Sequence, residues 1–254
     1  MTLPPAPDFR LDGHRALVVG ASSGIGLGCA VALAAQGAAV TLAARRADRL
    51  EQAVAALRDG GHGAEALALD VTETDTMRAA LDARAPYDIL VNAAGIARHG
   101  PATDTAEDDF DAVMAVNHRA AHLLAGTVAR RLIAEGRPGS IVTISSQMGH
   151  VAGPDRSVYA ASKHAVEGMT KAMAIEWGPH GIRVNTVCPT FVLTELTAPI
   201  LSDPEVRAWV EGKIKLPRLA EVQDISSAVA FLCSPAAAMI TGTSLLVDGG
   251  WTAG

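Results

Sequence analysis

Residues 16–26 read Ala16-Leu17-Val18-Val19-Gly20-Ala21-Ser22-Ser23-Gly24-Ile25-Gly26, and the reading of this stretch decides the fold. The apolar run Ala16-Leu17-Val18-Val19, ended by a glycine, has the pattern of a short buried strand. Ile25, Leu27, Cys29, Ala30, Leu33 and Ala34 continue as an apolar helix that stops at Gly37. Strand, glycine turn and helix in this order form the setting of a phosphate-binding loop. Glycines let the backbone approach a pyrophosphate, and the helix N-terminus presents free N–H groups and a positive dipole end. The spacing is G-x-x-x-G-x-G rather than G-x-G-x-x-G, so the turn alone also fits a tight βα connection.

The same alternation continues outward. Val40-Thr41-Leu42-Ala43 reads as a second strand, running into Ala44-Arg45-Arg46, and the next helical segment passes through Leu50, Val54 and Leu57 to Gly60-Gly61. Ala66-Leu67-Ala68-Leu69 is a third strand closed by Asp70, and Thr72-x-x-Asp75 is expected to act as a capping box for the following helix. Ile89-Leu90-Val91 gives a fourth strand before Asn92-Ala93-Ala94-Gly95, and a long helix is expected over residues 110–135, carrying Asn117. Ile141-Val142-Thr143-Ile144, Ile182-Arg183-Val184-Asn185-Thr186-Val187 and Ser244-Leu245-Leu246-Val247 supply the remaining strands, with a helix over 222–233. The strands are continuous apolar runs alternating with helices, which predicts an α/β fold whose parallel sheet is covered on both faces. No repeat, low-complexity tract or linker marks a second domain, so residues 1–254 are expected to be one domain with a Pro-rich lead-in over 1–13. Residues 190–216, which carry prolines and acids, are expected to form a lid over the site.

Chemistry concentrates between Ser146 and Lys163. Tyr159 and Lys163 are four residues apart at the start of a helical pattern, so both side chains share one face. An ammonium beside a phenol is expected to lower the phenol's pKa toward what a base for an alcohol proton requires. Ser146 follows the fifth strand, where a hydroxyl can donate to a substrate oxygen. Arg98, His99, Gln147, His150 and Arg156 fall in loops after strand ends and join Ser146 as candidate substrate contacts.

Composition narrows the classes. A net charge of -6 without a basic stripe argues against nucleic acid or an anionic membrane surface as partner. Neither a cationic leader with an apolar core nor a run of 18 apolar residues occurs, so a cytoplasmic location is expected. Cys29, Cys188 and Cys233 are odd in number and far apart, and read as buried free thiols. His118 and His122 have the spacing of a helical metal pair but lack a third ligand nearby in sequence, so no metal is expected.

Taken in order, the glycine loop, Asp70, Asn92-Ala93-Ala94-Gly95, Asn117, Ser146, Tyr159, Lys163 and Pro189 resemble the short-chain dehydrogenase/reductase family over residues 20–250, with Ser146 and Tyr159 separated by 13 positions. The resemblance implies a single-domain, doubly wound parallel sheet of Rossmann-like type, with about seven strands and helices on both faces. Such a domain binds NAD or NADP across the carboxyl ends of its strands and moves a hydride to or from a substrate carbon. It implies Tyr159 as general acid/base, Lys163 as the group that lowers its pKa and holds the nicotinamide ribose, and Ser146 as the donor to the substrate oxygen. Asn117 would kink its helix and hold a water in the proton path toward Lys163. Gly20, Ser22, Gly24, Ile25 and Gly26 would line the diphosphate, Asp70 would meet the adenine and Asn92 the adenosine ribose or the central sheet, with Ser23, Val71, Ala93 and Gly95 as further cofactor contacts. Pro189, Val192 and Thr194 would position the carboxamide. Two positions depart from the family pattern: Ala93 replaces a second Asn, and Thr190 replaces a Gly after Pro189, where Thr resists positive φ.

The end of the second strand bears on the dinucleotide. Ala44 stands where an NAD-specific enzyme has an Asp, and Arg45 and Arg46 follow, so NADP is the expected cofactor, with NAD as the alternative. The expected substrate is a secondary alcohol or ketone: a sugar, sugar acid or polyol, a class that the closing Asp-Gly-Gly-Trp-Thr-Ala also resembles. A 3-oxoacyl-thioester reductase is the alternative within enzymes, and a non-catalytic dinucleotide-binding regulatory protein the alternative outside them. A homotetramer is expected from the resemblance, with support sought in the apolar helix faces over 113–124 and 158–173.

Overall fold

The apolar runs become strands of one sheet in the computed structural model, which describes residues 2–195 and 197–254. Met1, at the head of the lead-in, and Leu196, within the expected lid, lie outside the described residues. Among the described residues the strands are β1 (Arg15–Val19), β2 (Ala39–Ala44), β3 (Ala64–Ala68), β4 (Ile89–Asn92), β5 (Gly139–Ile144), β6 (Ile182–Pro189) and β7 (Ser244–Val247). Their spatial order is β3-β2-β1-β4-β5-β6-β7, and every pairing is parallel. Parallel neighbours need crossovers. These are supplied by α1 (Gly24–Ala35), α2 (Ala47–Asp59), α3 (Thr74–Asp82), α4 (Glu107–Met114), α5 (Ala121–Ala134), α6 (Ser157–Trp177), α7 (Ala198–Leu201), α8 (Pro204–Lys213) and α9 (Val222–Cys233).

Strand periodicity divides the core in two. On β1, Ala16 and Val18 pack with Cys29 and Leu33 of α1 and Ile225 and Val229 of α9. Leu17 and Val19 point the other way, onto Met77 of α3, Leu124 and Val128 of α5, and Val166 of α6. Successive side chains on opposite faces are what a strand requires, so a central strand buried on both faces must be apolar throughout. A third, smaller cluster joins Met148, Leu201, Val210, Ile214 and Trp251, and anchors the 190–216 segment. Among the described residues no helix is long and apolar enough to cross a membrane.

Three expectations are corrected. The helix expected over 110–135 starts earlier, at Glu107, with Glu107, Asp108 and Asp109 complementing its N-terminal dipole. It is then interrupted by a π-helical segment, Ala115–Ala120, around Asn117. Thr72 and Asp75 form no capping box: the Thr72 N–H and hydroxyl both donate to Asp70 Oδ1, at 2.9 and 2.7 Å, and the helix begins at Thr74 instead. Among the described residues, Glu221 and Asp224 form a capping box at the start of α9. Finally, Leu124, Val166 and Met173 pack into the core on one face of the sheet and Val113 is buried as well, so these apolar positions cited for a tetramer are taken up within the protomer. Phe110 and Ile175 are the large apolar side chains that α4 and α6 leave exposed.

Candidate active site

β1 connects to β2 on one side, whereas its other neighbour β4 continues to β5 in the opposite direction, so the crevice opens at this switch point. A cleft of about 720 Å³ lies there. Its floor is the glycine turn. Gly20 has φ +79°, and a Cβ on it would come within 2.8 Å of the Ala93 backbone. A Cβ on Gly26 would lie 2.2 Å from the Gly20 carbonyl oxygen, so α1 sits this close to the turn only because residue 26 has no side chain. Gly20, Ser22, Ser23, Gly24, Ile25, Gly26, Arg45, Arg46, Asp70, Val71, Ala93, Gly95 and Thr194 all line the cleft, as does Arg98. Asn92, Pro189 and Val192 do not: Asn92 is buried, its Oδ1 accepting the Ala94 N–H at 3.1 Å.

The two arginines differ. Arg46 Nη2 donates to Ser22 Oγ at 2.8 Å and to Ser23 Oγ at 3.1 Å, which places its charge over the glycine turn. The Arg45 side chain is 75% exposed and reaches Asp70 Oδ2 at 4.0 Å. Burial raises the Asp70 pKa, but the Thr72 hydrogen bonds and the Arg45 charge outweigh it and hold the carboxyl below its ordinary value. Glu195, at the cleft mouth, pairs with Arg49 of α2 at 2.7 Å. Nothing in the sequence signals that pair, because 146 positions separate the partners.

At the end of β5, Ser146 Oγ donates to Gln147 Oε1 at 2.7 Å and accepts the Met148 N–H at 3.1 Å. On α6, Lys163 Nζ donates to the Ile144 carbonyl at 2.9 Å and stands 5.7 Å from the Tyr159 ring centroid. The expected depression of the Tyr159 pKa is not seen. Burial pushes the phenol up, the Ser146 hydroxyl and Arg156 only partly offsetting it, because the Lys163 ammonium is turned to Ile144. Lys163 is itself lowered to about 8 by burial, against the pull of Cys188 and Glu167. Asn117 closes the assembly: its Oδ1 accepts the Ile96 N–H at 2.8 Å, and its Nδ2 donates to the Ile96 carbonyl at 2.9 Å and to Ser162 Oγ at 3.0 Å. A mid-helix Asn is thus satisfied by tying the loop after β4 to α6. Ile96 could not be found from sequence, since it takes part through backbone atoms alone.

The candidate substrate residues gather unevenly. His99 meets the Tyr159 ring edge-on at 5.9 Å between centroids, and burial followed by Arg156 lowers its pKa. Arg156 lies over the rings of Trp209 and Phe191, at 5.5 and 5.9 Å, beside Trp251, which stacks on Phe191. Arg98 is paired with Asp109 at 3.3 Å, in a small pocket that also holds His99. His150 meets the side chains behind the strand ends, its Nε2 lying 3.5 Å from Cys188 Sγ and 3.8 Å from Glu167 Oε2. Thr190 causes no left-handed turn: Asp155 is the described non-glycine residue with positive φ. The buried Thr190 hydroxyl has no hydrogen-bond partner among the described residues. The His118 and His122 rings are 6.5 Å apart, and among the described residues no third ligand-bearing side chain joins them.

Comparisons with known proteins agree with this arrangement. The sequence model of a family described as enoyl-(acyl carrier protein) reductase matches residues 20–252. D-erythrulose reductase of Gallus gallus is 42% identical over 96% of this chain and 98% of its own, and D-threitol dehydrogenase of Mycolicibacterium smegmatis 42% over 96% and 95%. The crystal structure of a gluconate 5-dehydrogenase from Burkholderia cenocepacia, in complex with NADP and tartrate, superposes with a TM-score of 0.94 at 38% identity, covering 98% of each chain. The glycine turn at the switch point, the tyrosine and lysine of α6 and these full-length matches together place the chain in the short-chain dehydrogenase/reductase family.

Proposed function

We propose that the protein oxidises or reduces a secondary alcohol or ketone of the sugar, sugar-acid or polyol class, with NADP as its coenzyme. The observation that carries the reading is the convergence of Ser146, Tyr159 and Lys163 beside the cleft floored by Gly20 and Gly26. Full-length relatives that act on erythrulose, threitol and gluconate support the substrate class.

The residues present fit a dinucleotide: backbone space that a Cβ would fill, hydroxyls at Ser22 and Ser23, and guanidinium groups at Arg45 and Arg46. A bound nicotinamide dinucleotide would supply the hydride acceptor or donor. Ser22, Ser23, Gly24, Ile25 and Gly26 hold its diphosphate in this reading, Asp70 and Val71 its adenine end, and Pro189, Val192 and Thr194 its carboxamide end. Ser146 exchanges Gln147 for the substrate oxygen and orients it. Tyr159 gives or takes the proton at its phenol oxygen, and its raised pKa suits the donor role. Lys163 supplies positive charge beneath the ring, and Asn117 holds the loop and α6 in register. α7 and α8 form the lid, Trp209 of α8 meeting Phe191 and Trp251 edge-on, and Arg156 and His99 wall the substrate side.

Tyr159→Phe removes the proton donor and keeps the ring, so kcat on the best substrate from a panel of polyols, sugar acids and hydroxy acids falls at least ~10²-fold. Turnover near wild type with an unchanged pH profile would refute the assignment. The family description also names acyl-carrier-protein chemistry, and a 3-oxoacyl thioester in the same panel separates that reading from this one. The homotetramer expected from the family is checked by light scattering: a monomer at micromolar concentration would overturn it.

A further inference from the structure

His150, Glu167 and Cys188 come from three different elements: the turn after β5, α6 one turn beyond Lys163, and the end of β6. Their ligand atoms all lie within 4.8 Å of one another. Cys188 Sγ is 3.3 Å from Glu167 Oε1 and 3.5 Å from His150 Nε2, and His150 Nε2 is 3.8 Å from Glu167 Oε2. Zinc bound tetrahedrally to S, N and O at its usual bond lengths separates those ligand atoms by about 3.4–3.6 Å. Cys188 faces one Glu167 oxygen and His150 the other, and one ligand atom from each side chain lies within 4.8 Å of the others, so small side-chain rotations would bring the three to the spacing of a tetrahedral ion.

We infer that His150, Glu167 and Cys188 form a zinc site behind the active site, with the Ser145 hydroxyl or a water as the fourth ligand. Ser145 is buried beside the Cys188 thiol, and its hydroxyl has no hydrogen-bond partner among the described residues. A Cβ on Gly149 would fall 3.0 Å from Glu167 Cγ and 3.2 Å from Ser145 Oγ, so that glycine leaves the space into which both side chains reach. The outer support is also in place: Thr186 Oγ1 donates to Glu167 Oε2 at 2.9 Å, and the Ser244 hydroxyl donates to the same oxygen. The His150 side chain is 29% exposed and gives the entry path, whereas Glu167 and Cys188 are buried. On binding, Cys188 loses its thiol proton to solvent, and thiolate plus carboxylate balance the two positive charges of the ion. The ion would brace the turn after Ser146, the helix of Lys163 and the strand end at Pro189 against one another.

Cobalt(II), which reports thiolate ligation by its charge-transfer absorption, tests the site on the reduced full-length chain. One equivalent is expected to give a thiolate-to-cobalt band that zinc abolishes by displacement, and zinc alone is expected to raise Tm. Cys188→Ser removes the band, and His150→Ala, at a partly exposed position that folding tolerates, weakens zinc by at least ~100-fold. Ser244→Ala, which touches only the supporting shell, weakens it by about 10- to 100-fold. No band and no rise of Tm in the wild type would overturn the inference, leaving a hydrogen-bonded cluster. So would binding that survives both Cys188→Ser and His150→Ala, or that is lost in His118→Ala.

Discussion

Replacing Arg45 by Ala separates the two coenzymes. The Arg45 guanidinium is 75% exposed, and among the described residues it is held by a 4.0 Å pair with Asp70. An exposed pair of this kind contributes about 0–1 kcal/mol, so little opposes its turning to a 2′-phosphate at the adenosine end of the cleft. A charged hydrogen bond contributes about 1.5–3 kcal/mol, which corresponds to about 10- to 150-fold in affinity. Arg45→Ala is therefore expected to raise KM for NADP by that factor and to leave NAD nearly unchanged. Arg46→Ala behaves differently. It breaks hydrogen bonds of 2.8 and 3.1 Å to Ser22 and Ser23, at the turn proposed to meet the diphosphate of either coenzyme, so both are expected to weaken alike. Steady-state kinetics with both coenzymes, backed by calorimetric titration of each, makes the comparison. The phosphate-clamp reasoning fails if the wild type prefers NAD, or if Arg45→Ala weakens both coenzymes equally.

Gly26→Ala places a methyl 2.2 Å from the Gly20 carbonyl oxygen, where backbone must yield, and is expected to cost about 1–3 kcal/mol and coenzyme affinity with it; an unchanged Tm would count against the close approach of α1 to the turn. The Arg218 hydrogen bonds, followed by the Glu221 N–H, hold Asp224 near 2, below its ordinary 3.8. A depressed carboxyl stabilises the fold above 3.8 and loses that contribution as pH falls toward 2, so Asp224→Asn destabilises at pH 7 but not at pH 2. The shift alone corresponds to about 2 kcal/mol, and Arg218 is 57% exposed, so screening reduces the expected difference to about 1 kcal/mol. Urea midpoints at the two pH values check it, and a difference that persists at pH 2 would refute the linkage.

The sequence by itself determined the alternation of strands and helices, the parallel sheet and the glycine turn, because each is a local pattern. A run such as Leu17-Val18-Val19 is apolar throughout only where both faces are covered, and Gly20 and Gly26 stand where backbone must approach backbone. The positions of Tyr159 and Lys163 on one helix face also followed from spacing. What spacing could not give was direction. Lys163 turns to the Ile144 carbonyl and burial raises the Tyr159 pKa, and both depend on what β5 places beneath α6. The helix faces thought free for a partner were already committed to the sheet, since an apolar stripe does not state which surface will cover it. Asn117 was conspicuous as a polar residue in a helix, yet its partner Ile96 contributes only backbone groups common to every residue. His150, Glu167 and Cys188 carry no spacing signal at all, because a loop, a helix and a strand bring them together only when the sheet has formed.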